Sequence, residues 1–397
     1  MKIAKRIMDL EESVTLAITA KAKELRASGR DIISFGAGEP DFDTPENIKA
    51  TAIKAIEDGH TKYTPVSGIV ELKDAIIEKF KADNALDYER SEILISCGGK
   101  HSFFNLCQSI INPGDEVIVP TPYWVSYPEM VKLAGGIPVV VHTDESTGLK
   151  MTVNAFKSAI TPKTKAVIIN SPSNPTGAVY SRAELTGIVE AAVEAGVLLI
   201  SDDIYEEITY GDVPFVSVAS LSKVARDNTV VLNGVSKTYS MTGWRIGYAA
   251  GPKEIISAMT KVQSQSTSNP TSISQWAAVE AIKGTKDEIL RRCDEFKKRR
   301  DIMVAGLNGI EGVSCMVPSG AFYVFADVSK LYGKSVTDKI IGNSVELSAY
   351  LLEDADVAVV PGKAFGDDDH IRLSYACTED NIKEGLLRIK KALGALS

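Results

Sequence analysis

The sequence predicts an α/β fold. A large domain carries a mostly parallel seven-stranded sheet flanked by helices, and a smaller α+β domain is built from both chain ends. Three observations predict it. Short β-branched runs alternate with helical stretches from about residue 46 to about residue 285. Most of those runs are apolar throughout, as strands covered on both faces are. At 397 residues the chain exceeds one ordinary core and suits two.

The elements follow in order. An N-terminal arm, residues 1–45, holds a helix expected over Ser13–Ser28 that stops at Gly29, and this arm joins the small domain. Thr44 is placed to cap the next helix, with Pro45 at its first position and Gly59 at its end. The large domain, residues 46–285, has strands expected at Ile93–Ser96, Glu116–Pro120, Pro138–His142, Ala166–Asn170, Val197–Asp202, Thr229–Leu232 and Ile246–Ala250. The helix Ala183–Glu194, capped by Ser181, is one of the segments between them. The small domain, residues 286–397, opens with a charged amphipathic helix through Arg291–Leu307. Strand-like pieces follow at Ala321–Phe325, Val357–Val360 and Ile371–Tyr375, with a helix near Ser344–Glu353.

Composition narrows the function. Hydrophobic content of 44% and charged content of 24% are those of an ordered globular protein. A net charge of −8 without a basic block gives no support for nucleic-acid binding. No apolar run has the length to span a bilayer, and Met1–Glu12 lacks a signal-peptide core, so no membrane partner is expected. The five cysteines are scattered without a Cys-x-x-Cys pair, which fits a reducing cytoplasm. The four histidines show no metal-ligand spacing, so no metal is expected.

The chemistry-bearing segments sit at expected strand ends. Asn233-Gly-Val-Ser-Lys-Thr-Tyr-Ser-Met-Thr-Gly-Trp-Arg-Ile-Gly-Tyr248 puts Lys237 just past a buried strand and Arg245 eight residues later. A buried lysine can lose its proton and act as a nucleophile, whereas an arginine keeps its charge and clamps an anion. That pair is what an enzyme needs to hold pyridoxal phosphate. Ile93-Leu-Ile-Ser-Cys-Gly-Gly-Lys100 is a strand, two glycines and a helix start. Backbone N–H groups of Gly98, Gly99 and Lys100 form an anion cup there. Neither a Gly-x-Gly-x-x-Gly nor a P-loop string is present.

Other segments meet the remaining needs of such a cofactor. Val197-Leu-Leu-Ile-Ser-Asp202-Asp203-Ile-Tyr205 ends an apolar strand in acids, and a buried carboxylate needs a cation. Asn170-Ser-Pro-Ser-Asn174-Pro-Thr-Gly177 is a rigid loop able to fix an amide side chain. Thr121-Pro-Tyr-Trp124 offers an indole face for stacking. His370-Ile-Arg372-Leu-Ser-Tyr375 sets an arginine inside an apolar strand.

Taken together and in this order, these strings resemble the class I aminotransferases of the fold type I scaffold. The resemblance runs from Gly36 to Tyr375. It implies that Lys237 binds the aldehyde of pyridoxal 5'-phosphate and moves the substrate proton. Asp202 faces the ring nitrogen, Tyr205 and Asn174 serve the phenolic oxygen, and Asp203 is a bystander. Trp124 stacks on the ring. Arg372 grips the substrate α-carboxylate in a fork, with Asn174 and Gly38 beside it. Tyr63, in Thr61-Lys-Tyr-Thr-Pro, matches a tyrosine that reaches the phosphate of a partner subunit, which implies a homodimer with shared sites.

Within that family, Ser126-Tyr-Pro-Glu-Met and Met241-Thr-Gly-Trp-Arg-Ile-Gly-Tyr resemble the prokaryotic branch of the aspartate aminotransferases. The first expectation is therefore transamination of L-aspartate with 2-oxoglutarate. Aromatic amino acids or alanine come next, and a β-lyase reaction after them. Animal and enterobacterial members carry an arginine four residues before Ser-Asn-Pro, where this chain has Ser264. The prokaryotic branch uses an N-terminal Ser-x-Thr instead, here Ser13 and Thr15. Prephenate-accepting relatives carry a lysine near this point, where this chain has Glu11 and Glu12. A sensor-type regulator on the same fold carries a DNA-binding module, for which the roughly thirty residues before Gly36 are too few.

Overall fold

Alternate residues along each central strand feed opposite hydrophobic clusters, which is why these strands read as unbroken apolar runs. The computed structural model describes residues 3–11, 14–211, 213–336 and 339–397. Its central sheet contains β1 (Ile93–Ser96), β2 (Glu116–Pro120), β3 (Ile137–Val141), β4 (Thr164–Asn170), β5 (Leu198–Asp202), β6 (Thr229–Gly234) and β7 (Gly247–Ala250). Val117, Val119, Ala166 and Ile168 pack with Phe103, Leu106, Ile256 and Met259 on one face. Ile118, Val167 and Ile169 pack with Leu185, Ile188 and Val189 on the other. Each strand thus loses apolar area from water on both sides.

The strand order is β1-β7-β6-β5-β4-β2-β3. Every neighbouring pair from β6 to β3 is parallel, whereas β7 runs antiparallel to both β6 and β1. The carboxyl ends of β1, β2, β4, β5 and β6 therefore share one edge with the amino end of β7. Loops at that edge of an open α/β sheet are where ligands bind.

A second, antiparallel sheet has four strands: β8 (Ser314–Cys315), β9 (Tyr323–Asp327), β10 (Val360–Pro361) and β11 (His370–Ser374), in the order β10-β11-β9-β8. Its core includes Phe296, Met303 and Leu307 of the helix Asp287–Asn308, and Ile382, Leu386 and Ile389 of the helix Glu379–Leu393. Ile33–Ser34 pairs in parallel with Val357–Ala358, so the first part of the chain is stitched to the last. No helix among the described residues is long and apolar enough to cross a membrane.

Several local expectations meet their reasons here. Ser181 caps the helix Arg182–Ala195 through a capping box with Glu184. The N-terminal helix spans Val14–Ala27, and Ser13 lies outside the described residues. Thr44 does not cap the helix Glu46–Glu57. Its hydroxyl donates to the Ser240 carbonyl at 2.7 Å and accepts from Trp244 Nε1, and Pro45 occupies the N-cap without a side-chain bond. Thr44 is thereby used to pin the loop that follows Lys237. The expected strand Val357–Val360 is two bridges, broken at Val359, because its halves pair with different partners.

Candidate active site

At the shared strand edge lies a cavity of about 390 Å³. It brings together Gly38, Gly99, Lys100, Trp124, Asn174, Asp202, Tyr205, Lys237, Arg245 and Arg372. Residues separated by more than 300 positions meet there because β11 of the second sheet closes over the ends of β4 to β6. Gly98 adjoins the cavity as the N-cap of the helix Gly99–Ile110. Tyr63 stands outside it and is 91% exposed.

Lys237 sits in the turn after β6. Its Nζ donates to the Gly38 carbonyl at 2.5 Å. Burial lowers its pKa to about 8, with Arg372 and Arg245 acting in the same direction and Glu39 and Asp202 opposing. The lowered pKa makes the neutral amine, the form a nucleophile or general base requires, far more accessible near physiological pH than it is for a solvated lysine.

Asp202 ends β5 and is 8% exposed. Its Oδ2 accepts from the Tyr127 hydroxyl at 2.5 Å and its Oδ1 from the Ile204 N–H at 3.3 Å. Burial raises its pKa while the Tyr127 bond holds it down. Asp203 points away, held by the hydroxyls of Ser201 and Ser217 at 2.6 Å each. Burial pushes Asp203 up to about 8, with Glu206 adding to the rise. The two neighbouring acids therefore differ: one borders the cavity, and the other is locked in the core.

Gly98 and Arg245 form one unit. Gly98 has φ +88°, and a Cβ placed on it would lie 2.4 Å from Arg245 Nη2. Only glycine gives both that backbone conformation and that approach. The guanidinium donates to the carbonyls of Thr242 (2.8 Å) and Cys97 (3.4 Å), next to the first N–H groups of the helix Gly99–Ile110. Helix start, glycine and arginine together make an anion site. The Lys100 ammonium lies 5.1 Å from the Trp124 ring centroid, and burial followed by the Arg245 charge lowers its pKa.

Arg372 is 2% exposed on β11. It donates to Asn174 Oδ1 at 3.1 Å and to the Gly36 carbonyl at 2.8 Å, and its Nε has no partner among the described residues. The rings of Tyr323 and Phe365 lie 4.6 and 5.1 Å from its guanidinium carbon. The oxygens it reaches carry no charge, so this buried cation is left to be neutralised by an incoming anion. Asn174 is aligned from below, since its N–H donates to Asn170 Oδ1 and Asn170 Nδ2 donates to the Asp202 carbonyl.

Sequence reasoning missed several lining residues. Tyr127 and Tyr323 are buried tyrosines that bond to Asp202 and Tyr205. Asn233, at the end of β6, donates to Glu206 Oε1 at 2.6 Å, and that carboxylate in turn pairs with buried Lys79 at 2.5 Å. Thr19 borders the cavity one helical turn after Thr15. Tyr127 stood in a string used only as a family marker, and Tyr323 in a strand that looked like plain core. Only the helical spacing of Thr15 and Thr19 was a usable signal. Ser264 is not among the lining residues; its hydroxyl donates to the Lys261 carbonyl.

Comparison with known proteins gives a consistent result. The family model for aminotransferase class I and II matches residues 30–389. The aspartate aminotransferase of Geobacillus stearothermophilus is 51% identical over 398 residues, covering 100% of both chains. The solved aspartate aminotransferase of Rhizobium meliloti is 48% identical with a TM-score of 0.97, covering 100% of both chains. That of Thermus thermophilus, solved with maleate, is 44% identical with a TM-score of 0.91, covering 99% of this chain and 100% of the other.

Proposed function

The chain belongs to the class I and II aminotransferases, and on that premise we propose that it binds pyridoxal 5'-phosphate in this cavity and transfers the amino group of L-aspartate to 2-oxoglutarate, yielding oxaloacetate and L-glutamate. The observation that carries the reading is the convergence of a low-pKa lysine, a buried aspartate and an arginine–glycine anion site on one cavity.

The donor set fits the cofactor group by group. The Gly98–Arg245 cradle, which a Cβ would fill, suits the phosphate, with backbone N–H groups of Gly99 and Lys100 beside it. Asp202 suits a cationic ring nitrogen. Tyr205, which burial holds protonated, and the Asn174 amide suit the phenolic oxygen as donors. Trp124 offers its indole as a stacking wall that keeps water out. When bound, pyridoxal phosphate supplies an aldehyde that captures amines and a ring that takes up the electron pair left at the substrate Cα.

The chain's own groups do the rest. Arg372 binds the α-carboxylate through its fork, helped by Asn174 and the backbone of Gly38. That contact fixes the rotation of the substrate about its Cα. Lys237 Nζ accepts the Cα proton and returns it on the other side of the transfer, in the dual role a pKa near 8 permits. Lys100, which lines the same cavity as Thr15 and Thr19, supplies a second cation for a distal carboxylate, which supports a dicarboxylic substrate. The maleate in the Thermus thermophilus relative, itself a dicarboxylate, supports the same reading.

The exposed Tyr63 ring, with Ile53 and Ile56 exposed on the preceding helix, supports a homodimer in which Tyr63 serves the neighbouring site. We also take residues 46–285 as the cofactor-binding domain, with 286–397 and the arm 1–45 as the smaller one. Initial rates with 2-oxoglutarate over a panel of amino donors test the substrate. L-Aspartate is expected to be fastest, and no rate with it would overturn the assignment. Release of ammonia without an amino acceptor would favour a β-lyase instead.

A further inference from the structure

Tyr127 stands three residues after Trp124, in the first turn of the helix Ser126–Leu133, and is 2% exposed. Its ring is held edge-on between Phe103 and Trp124, with centroids 5.2 Å away on each side. The ring therefore has little freedom to turn. Its hydroxyl meets Asp202 Oδ2 at 2.5 Å, the shortest hydrogen bond that this carboxylate makes. An ionised carboxylate can only accept, so the phenol is the donor. A donor of this kind favours the charged form of the acid, against an apolar enclosure that favours the neutral form. The ionisable neighbours facing Asp202 are Lys237, which favours its charge, and Asp203 and Tyr205.

We propose that Tyr127 is a positioning residue for transamination: its phenol orients the Asp202 carboxylate and keeps it the weaker base, so that the cofactor's ring nitrogen retains its proton. The inference rests on the pyridoxal phosphate reading above and goes beyond it. The strength of the electron sink would be set not by Asp202 alone but by a phenol on a different element, locked by two aromatic rings. Without that donor the proton between nitrogen and carboxylate should move toward oxygen, because a neutral pair is cheaper than an ion pair in a buried site.

The test uses holoenzyme loaded with pyridoxal phosphate carrying ¹⁵N in the ring. The wild type should give the ¹⁵N shift of a protonated pyridine. Tyr127→Phe keeps the ring packing and removes the hydroxyl. It should move the shift toward that of neutral pyridine and lower kcat by roughly 10- to 100-fold, the span of a hydrogen bond to a charged group, with KM for the amino donor little changed. In an Asp202→Asn background the same substitution should add no further shift. Phe103→Leu loosens one of the two rings that hold Tyr127 but leaves its hydroxyl in place, and should move the nitrogen signal clearly less than Tyr127→Phe does. An unchanged shift and kcat in Tyr127→Phe would overturn the proposal, as would an equal shift in Phe103→Leu. A wild-type protein that binds no labelled cofactor at all would instead defeat the cofactor reading, and this inference with it.

Discussion

The hydroxyls of Tyr205 and Tyr323 stand 2.9 Å apart, one on the segment after β5 and the other on β9. Their rings meet nearly at right angles, and Tyr323 also lies under the Arg372 guanidinium. One side chain of the second sheet thus touches both the expected phenolic-oxygen donor and the expected carboxylate clamp. Tyr323→Phe keeps the cation–ring contact and deletes the hydroxyl pair. Losing one such bond is expected to lower kcat/KM by about 5-fold, close to 1 kcal/mol, while Tm changes little. Steady-state kinetics with thermal unfolding checks this.

Lys237 gives a pH prediction for the cofactor-free protein. Its folded pKa of about 8 lies below the ordinary lysine value of 10.5. Between these values the unfolded chain binds the extra proton, so this residue makes stability rise with pH across that window. Denaturation of wild type and Lys237→Met at pH 7.5 and 10 should show the rise in the first and its loss in the second. Parallel pH trends in the two proteins would contradict it.

Arg372→Lys keeps the charge and loses the planar fork that reaches Asn174 and Gly36. The expected outcome is a rise in KM for the amino donor of roughly 100-fold, because a single ammonium cannot hold a carboxylate in two-point geometry. Retention of wild-type KM would remove Arg372 from the carboxylate site.

Gly98→Ala forces a side chain into a left-handed backbone position and onto Arg245. Weakening of pyridoxal phosphate binding by about 10-fold or more is expected, since the cost of about 1–2 kcal/mol falls on the anion cradle. A fluorescence titration of the cofactor-free variant measures it.

Lys79→Met leaves Glu206 buried without its cation, and Glu206 holds Asn233 on the cavity wall. Destabilisation of about 3–5 kcal/mol is expected, measured by chemical denaturation. A loss below about 1 kcal/mol would show that Asn84 and Asn233 alone satisfy the carboxylate.

The layered fold and most chemistry-bearing side chains were legible without coordinates, for a physical reason. Central parallel strands must be apolar on both faces, so Ile93–Ser96, Glu116–Pro120 and their neighbours announce themselves, and polar residues at their ends stand out. Lys237, Asp202, Asn174 and Arg245 were visible in that way. The Thr44 cap failed because a hydroxyl suited to a helix N-terminus was instead claimed by Ser240 and Trp244, far off in sequence.

By itself, then, the sequence determined the alternation of elements, the strand ends where polar groups gather, and the family. The tertiary structure alone decided which groups touch. Tyr127 reaching Asp202, Tyr323 reaching Tyr205 and Lys79 reaching Glu206 are contacts across 75, 118 and 127 positions. Strand and helix periodicity are local properties of the backbone, whereas a hydrogen bond between two buried side chains depends on how separate elements pack. No local pattern encodes that packing.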